Sequence, residues 1–350
     1  MKKCIIRATF LAAALTVALS AAAFAAPADV IKIKLAAQAT SGQVFQYLAE
    51  ERGYLADEGI DVEMVYINNG TDAFSALSSG QVDVISTYGT GGPLIQIVNG
   101  QKFTIFGGYM IIGETPVYGR PETEYKDLSS LKGKKIAIMR GGTPDIVLKG
   151  ILYDAGMYDG KNDQVEFVEL KRNTDVLQAV MKGEVDFGST STGFQLQAKE
   201  MGLEVKMWPD ELWPYHSCCR MICHSDRLTE KEEGLYRLIR AYLRAEEDMQ
   251  DEMPHIVDLI VKNLDITKPT AESFVLSPHM IYDTDPYKNS VIKMWDKMSK
   301  FGYLPADSST KIEDHIDTAI YLRALESLIK DYPDKPFFEA KLEQFKKNNA

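Results

Sequence analysis

The chain has 350 residues, 45% of them hydrophobic and 25% charged, with a formal net charge of −11. That length and apolar content suit one large or two medium globular domains with ample core. With 50 Asp and Glu against 39 Lys and Arg, and no basic run, nucleic acid is excluded as the expected partner.

The first segment reads as a signal, not as structure. Lys2, Lys3 and Arg7 make a positive start, residues 8–23 are almost unbroken apolar, and Ala23-Phe24-Ala25 is a small-x-small cleavage site. Residues 1–25 are therefore expected to be a cleavable signal peptide, which places the mature chain in the periplasm. Cys4 precedes the apolar run and does not have the position of a lipid-attachment cysteine. No later stretch is long enough to span a bilayer.

From residue 30 onward the pattern is strand, helix, strand, helix, strand, twice. "IKIKLAA" and "KKIAIM" are short apolar strands. Helices follow, with Val44, Tyr47 and Leu48 or Ile146, Val147 and Ile151 on the apolar face. Thr143 is expected to cap the second of these, with Pro144 and Asp145 suiting its first turn. "DVEMVYI" and "VEFVEL" are the next strands; Thr71 and Thr174 are expected to cap short helices that Gly80 and Gly183 end. "VDVIS" and "VDFGS" close each unit. At a fixed offset of 103, residues 32–90 match residues 135–193 at 16 of 59 positions, with no gap. Alternation of this kind means mainly parallel sheets with right-handed crossovers. The duplication means two α/β lobes.

Between the units, residues 110–133 carry Pro and Gly and read as a crossover. "GLEVKMW" is a further strand, and residues 208–225 lead back. Residues 227–350 are largely helical, and "DKPFFEAKLEQFKKNNA" reads as a charged tail, either a peripheral helix or frayed.

The chain resembles periplasmic solute-binding proteins of ABC transporters, in the sulfonate/nitrate/taurine-binding family that includes binders of thiamine-pyrimidine precursors. The resemblance lies in "YLAEERGYLADEGIDVEMVYINNGTDAFSALSSGQVDV", "DLSSLKGKKIAIMRGGTPDIVLKGILYDAGM" and "AVMKGEVDFGSTSTG". It covers about residues 30–330. It implies a type II-like two-lobed fold: two doubly wound α/β lobes joined by two crossover strands, with a helical C-terminal region. Residues 29–112 plus 224–330 would form lobe 1, residues 113–223 lobe 2, and residues 331–350 the tail. It further implies a monomer that closes on its solute and passes it to a permease with its ATPase, with no cofactor and no catalysis.

Open α/β sheets bind ligands beyond the carboxyl ends of their strands. The loops at that edge are residues 38–42, 86–90, 141–143 and 189–192. The expected ligand contacts are Gln38, Thr40, Ser41, Ser86, Thr87, Tyr88, Gly141, Gly142, Thr143, Ser189, Thr190 and Thr192. Their hydroxyls, and the free N–H groups at the helix start near Thr143, suit a polar or anionic head. The ligand class implied is a small sulfonate, taurine or nitrate-like anion, or a heterocyclic vitamin precursor. Trp213 and Tyr215, flanking a Pro near the return crossover, and Tyr109 are aromatic candidates for the other end. Arg140 is a candidate counter-ion. Asp83 and Asp186 sit at strand starts and are expected to bond nearby backbone N–H groups.

"YHSCCRMICH" holds His216, Cys218, Cys219, Cys223 and His224. Three readings stay open: a metal site, a disulfide in an oxidising compartment, and a buried strand whose thiols pack. On a strand, Cys219, Met221 and Cys223 would share one face. Some pyrimidine synthases of the same fold carry a His-preceded, cysteine-rich motif associated with iron; "HSCC" is similar only in part, since it lacks the triple cysteine. A metal-dependent enzyme using His216, Cys218, Cys219 and Cys223 is thus the alternative function, and a ligand-sensing module for a membrane receptor is another.

Overall fold

The structure, a computed structural model, describes residues 30–39, 43–250, 252–305 and 307–350, so the signal-peptide reading lies outside the described residues. The first unit comprises β1 (Ile31–Ala37), α1 (Val44–Glu51), α2 (Tyr54–Asp57), β2 (Ile60–Tyr66), α3 (Gly70–Ser78) and β3 (Val84–Ile85), followed by α4 (Gly91–Val98) and β4 (Phe103–Ile112). β5 (Val117–Gly119) leads into the second unit: β6 (Lys135–Ile138), α5 (Thr143–Asp154), β7 (Glu166–Glu169), α6 (Asn173–Lys182) and β8 (Phe187–Ser189). α7 (Gln195–Glu200), β9 (Glu204–Met207) and α8 (Pro209–Leu212) complete it. The chain returns through β10 (Cys219–His224) to α9 (Ser225–Glu230), α10 (Glu232–Met249), α11 (Met253–Asn263), α12 (Lys268–Val275), β11 (Ile281–Tyr282), α13 (Lys288–Lys300), α14 (Ala319–Asp331) and α15 (Pro336–Asn349). Among the described residues no helix is long and apolar enough to cross a membrane.

Two sheets result, in the orders β11-β4-β10-β3-β1-β2 and β7-β6-β8-β5-β9. The three strands of each repeat pair in parallel, as β2-β1-β3 and β7-β6-β8. A βαβ connection leaves no other choice. The strands that enter or leave a lobe join antiparallel. β10 belongs to the first sheet, where it pairs with β3 and β4. The second lobe's sheet therefore ends before Cys219, earlier than the expected boundary at residue 223.

The repeat is real in architecture but not free of a gap. Leu35 pairs with Val84 and Met64, whereas Ile136 pairs with Phe187 and Phe167. β2 and β3 thus map onto β7 and β8 at an offset of 103, while β1 maps onto β6 at 101. The second lobe has four residues between its first strand and first helix against six in the first lobe, and α5 is four residues longer than α1 (12 against 8), a net gain of two. The identity of Ile33 with Ile136 is a coincidence of two apolar strands.

The paired aspartates do what strand-start carboxylates can do. Asp83 accepts from the Lys34 N–H at 2.9 Å, and Asp186 from the Lys135 N–H at 2.9 Å. Asp83 also holds Lys231 at 2.7 Å and is buried; Asp186 pairs with Lys134 at 3.5 Å and is partly exposed. Removing the buried one strands both an N–H and a cation. Asp83→Ala is expected to cost about 2–3 kcal/mol and Asp186→Ala about 1–2, read as unequal drops in urea midpoint. Gly80 and Gly183 end their helices at φ 72° and 75°, the left-handed region that side chains resist.

The expected threonine caps are displaced. Asn69 caps α3, accepting from the Asp72 N–H at 2.8 Å, and Thr71 lies inside the helix. Arg172 is the N-cap of α6, where its guanidinium binds Asp175, and Thr174 lies inside. Gly142 is the N-cap of α5; Thr143 is the first helical residue, and the Asp145 carboxylate folds back to accept the Gly141 N–H at 2.7 Å. In each case a residue one or two positions earlier takes the extended backbone, and a carboxylate inside the first turn supplies the charge.

The C-terminal segment is a docked helix rather than a frayed tail. α15 buries Phe338, Lys341, Phe345 and Asn349. Lys341 bridges Glu246 of α10 at 2.8 Å and Asp283 at 2.6 Å. Asn349 donates to Asp285 at 2.7 Å. Residues 283–286 in turn grip both crossovers: the Gly108 N–H donates to the Thr284 carbonyl at 2.7 Å, and buried Arg220 donates to the Asp285 carbonyl at 2.8 Å. The last helix thereby braces the two crossovers.

Candidate functional site

The carboxyl ends of the strands present Ser86, Thr87, Thr143, Ser189, Thr190 and Thr192, each of them buried. Ser86 follows β3, and its Oγ is buried without a hydrogen-bond partner in the protein. Thr87 Oγ1 accepts from the Gln38 N–H at 2.8 Å, and the Gln38 side chain reaches the Asn68 carbonyl at 3.4 Å. Thr40 and Ser41 lie outside the described residues. In the second lobe Ser189 donates to the Thr115 carbonyl at 3.3 Å, Thr190 is fully buried, and Thr192 donates to the Glu114 carbonyl at 3.4 Å.

The lobes meet one step beyond the repeated Ser-Thr pairs. Thr90 of the first lobe and Thr143 of the second both donate to the carbonyl of Cys218, at 3.2 and 3.4 Å. A Cβ at Gly89 would lie 2.8 Å from Thr143 Oγ1, and one at Gly91 would lie 2.0 Å from Ile146 Cδ1 and 3.5 Å from the Gly141 carbonyl. Gly141 itself stands at φ 76°. Gly89, at φ 74°, takes a left-handed turn that side chains resist, and with Gly91 it lets the start of α4 come close to the start of α5. One apolar cluster runs across the contact, holding Leu94 with Ile146, Val147, Val291 and Met294. At the contact itself the hydroxyls that meet are those of Thr90 and Thr143, on one shared acceptor.

A polar floor, largely unannounced by the sequence, lies at the crossovers. Glu114 is buried and takes a hydrogen bond from Gln195. The hydroxyls of Thr115, Ser217 and Tyr282 are buried without protein partners. A Cβ at Gly113 would lie 2.2 Å from Cys218 Sγ. His216 is fully buried, and burial pushes it down to about 4, so it is neutral at pH 7. A lone Glu ending an apolar run, in "MIIGE", is the one signal that could have found Glu114. Nothing local marks Tyr282, which arrives from β11.

Burial also pushes Glu114 up to about 7. Between about pH 4.5 and 7 the folded chain then holds a proton that the unfolded chain has lost, so stability falls as pH rises through that window. Wild type should lose up to about 3 kcal/mol relative to Glu114→Gln between pH 4.5 and 8, measured by denaturant titration. His216 tilts the other way, its contribution being lost as pH falls from 6.5 towards 4. The comparison cancels it, because both proteins keep His216.

The aromatic and basic candidates are engaged elsewhere. Tyr88 packs on Phe74, and its hydroxyl donates to the Ile67 carbonyl at 2.8 Å. Tyr109 is buried in the first-lobe core against Phe45 and Tyr242. Trp213 is buried against Gly150 of α5 and under Lys297 of α13, where it wedges the lobes from behind. Tyr215 is exposed and stacks on Tyr287. Arg140 pairs with Glu169 at 2.9 Å and lies over Tyr303. Together with Lys149, Tyr158 and Phe167 it borders a separate cavity of about 190 Å³.

Among the described residues the cysteines, Cys218, Cys219 and Cys223, are free and buried. Cys219, Met221 and Cys223 share one core face and Ile222 turns to the other, as the packed-strand reading expects. Among the described residues no group of three or more His, Cys, Asp or Glu is placed to hold a metal. Cys218 Sγ and Cys219 Sγ are 3.6 Å apart. Their mutual hydrogen bond holds the Cys218 thiol well above the usual range, and the same bond, with the Gly89 N–H, lowers that of Cys219.

Comparison with known proteins agrees with this fold. The model of the family described as NMT1/THI5 like matches residues 42–253. A candidate binding protein of Brucella abortus (strain 2308) is 25% identical over 277 residues, covering 76% of this chain and 82% of its own. The periplasmic aliphatic sulphonate binding protein of Escherichia coli superposes with a TM-score of 0.66 at 17% identity, over 83% of this chain and 99% of its own. The periplasmic nitrate-binding protein of Synechocystis PCC 6803 gives 0.68 at 17%, over 88% and 91%.

Proposed function

Because the chain belongs to the NMT1/THI5-like family, we propose that it is an exported, non-catalytic solute-binding protein that captures a small polar organic solute between its lobes and hands it to the permease and ATPase of an ABC importer. The observation that carries this reading is the meeting of one hydroxyl from each lobe, Thr90 and Thr143, on the Cys218 carbonyl above a floor of buried, unpartnered hydroxyls. Buried polar groups without partners are costly in a protein kept for stability alone. They suit a site whose partner is a ligand.

The charges favour a neutral or cationic solute, such as a polar heterocycle, over a sulfonate or nitrate. The start of α5, the expected anion site, already holds the buried Asp145 carboxylate, which Gly141 and Lys149 satisfy. Glu114 adds a second acid to the floor, and Arg140 is spent on Glu169. The lining is Ser86, Thr87, Thr90, Gly141, Gly142, Thr143, Ser189, Thr190 and Thr192, with the hinge residues Glu114, Ser217 and Tyr282. The protein works as a monomer in the periplasm, where its relatives of known structure are described.

Native mass spectrometry of gently purified protein should show one bound small molecule. A thermal-shift panel of pyrimidines, flavins, carboxylates, sulfonates and nitrate should then give a rise for the same class, equivalent to about 2.7 kcal/mol at a hundredfold excess over Kd. A folded, solute-free protein that responds to none of them would overturn the reading.

A further inference from the structure

We propose that Cys218 and Cys219 are a redox switch at the floor of the cleft: as two thiols they leave the Cys218 carbonyl in place to clasp both lobes, and as a vicinal disulfide they withdraw it. The proposal rests on the reading of the lobe contact as a closing cleft.

Neighbouring side chains of a regular strand point to opposite faces. Here the two Sγ atoms are 3.6 Å apart. The segment is already out of extended geometry, since Ser217 stands at φ 61° and the β10–β4 register shifts between Cys219 and Arg220. Joining the sulfurs requires an approach to about 2.05 Å. The bond closes an eight-membered ring that includes the carbonyl carbon of Cys218. That carbon bears the oxygen on which Thr90 and Thr143 meet. Distorting the ring peptide therefore acts directly on the one acceptor shared by the two lobes.

No other pairing is open to the described cysteines. Cys223 lies four residues further along the same strand, about 13 Å away at a strand's rise per residue, far beyond disulfide reach. Its thiol faces the Thr104 carbonyl. The oxidant is a disulfide-bearing thiol–disulfide exchange partner. The Cys219 thiolate attacks one of its sulfurs and expels the first thiol; Cys218 then attacks the Cys219 sulfur of the mixed disulfide and expels the second. Two S–H bonds are lost, one S–S bond forms, and the oxidant leaves as two thiols carrying the two electrons and two protons. Both cysteines are buried, and the peptide that joins them lies under the Thr90–Thr143 contact, so the exchange needs that contact to open, and a closed one protects the thiols.

The test uses the exported chain with oxidised glutathione, then dithiothreitol. After oxidation, alkylation in denaturant should fall from three thiols to one, the intact mass should drop by two hydrogens, and peptide mapping should place the bond within Cys218–Cys219. The radius of gyration from small-angle scattering should rise and return on reduction. Cys219→Ser should keep its radius under oxidant, and Thr90→Val with Thr143→Val should show the larger radius when reduced. If a variant does not fold, the wild-type mapping and radius decide alone. Three thiols still reactive, a stable glutathione adduct, or a vicinal bond with an unchanged radius would each overturn the proposal. No solute is needed, so failure here leaves solute capture standing, and failure of solute capture leaves the thiol result readable.

Discussion

Lys341→Met should destabilise the chain by about 3–5 kcal/mol, seen as a large fall in denaturant midpoint. Lys341 is buried between Glu246 and Asp283, with hydrogen bonds to both. Removing it leaves two buried carboxylates facing each other without a cation. A methionine restores the volume but none of the charge. Glu246 is already pushed up to about 7, burial being the first cause and Asp283 a further one, with Lys341 opposing both. Without the lysine, Glu246 should take up a proton. Adding Glu246→Gln to the variant should therefore recover part of the loss. The effect should not stay local, because residues 283–286 pin both crossovers through Gly108 and Arg220. A looser hinge should accompany the lower stability.

Gly91→Leu should cripple solute capture while leaving each lobe folded. A Cβ there meets Ile146 Cδ1 at 2.0 Å, across the lobe contact. Overpacking of this kind costs about 1–3 kcal/mol. The cost falls on the closed state alone, so affinity should drop roughly 5- to 150-fold. The check is the fraction of protein carrying its co-purified solute in native mass spectrometry, followed by titration with that solute. The melting temperature of the solute-free protein should change little, because its lobes can open to relieve the clash. Equal occupancy in variant and wild type would show that the Gly91–Ile146 contact is not part of closure.

Much of the fold was legible because it is written locally. The order of strands and helices follows from apolar spacing over about ten residues at a time. The parallel pairing follows from that order. The roles of Asp83 and Asp186 follow from a carboxylate beside a strand's free N–H. The caps were nearly legible: charge at Asp72, Asp145 and Asp175 marks each first turn, but which neighbour adopts the extended backbone is decided by how the loop enters the helix. Local patterns also misled. An ungapped repeat in the sequence spans a net two-residue insertion, because one apolar strand slides along another without penalty in sequence.

The sequence by itself determined two α/β units and the hydroxyl character of the edge at the carboxyl ends of their strands. Tertiary structure alone decided that Thr90 and Thr143 meet on a carbonyl 128 residues from the first and 75 from the second. It also decided that the charged C-terminal segment is a buried brace, and that Glu114 and Tyr282 join the floor. The physical reason is range. Periodicity, capping and turn preferences act between near neighbours. Which hydroxyl finds which carbonyl, and which lysine can be buried, depends on partners that are brought together only when the lobes and the last helix have packed.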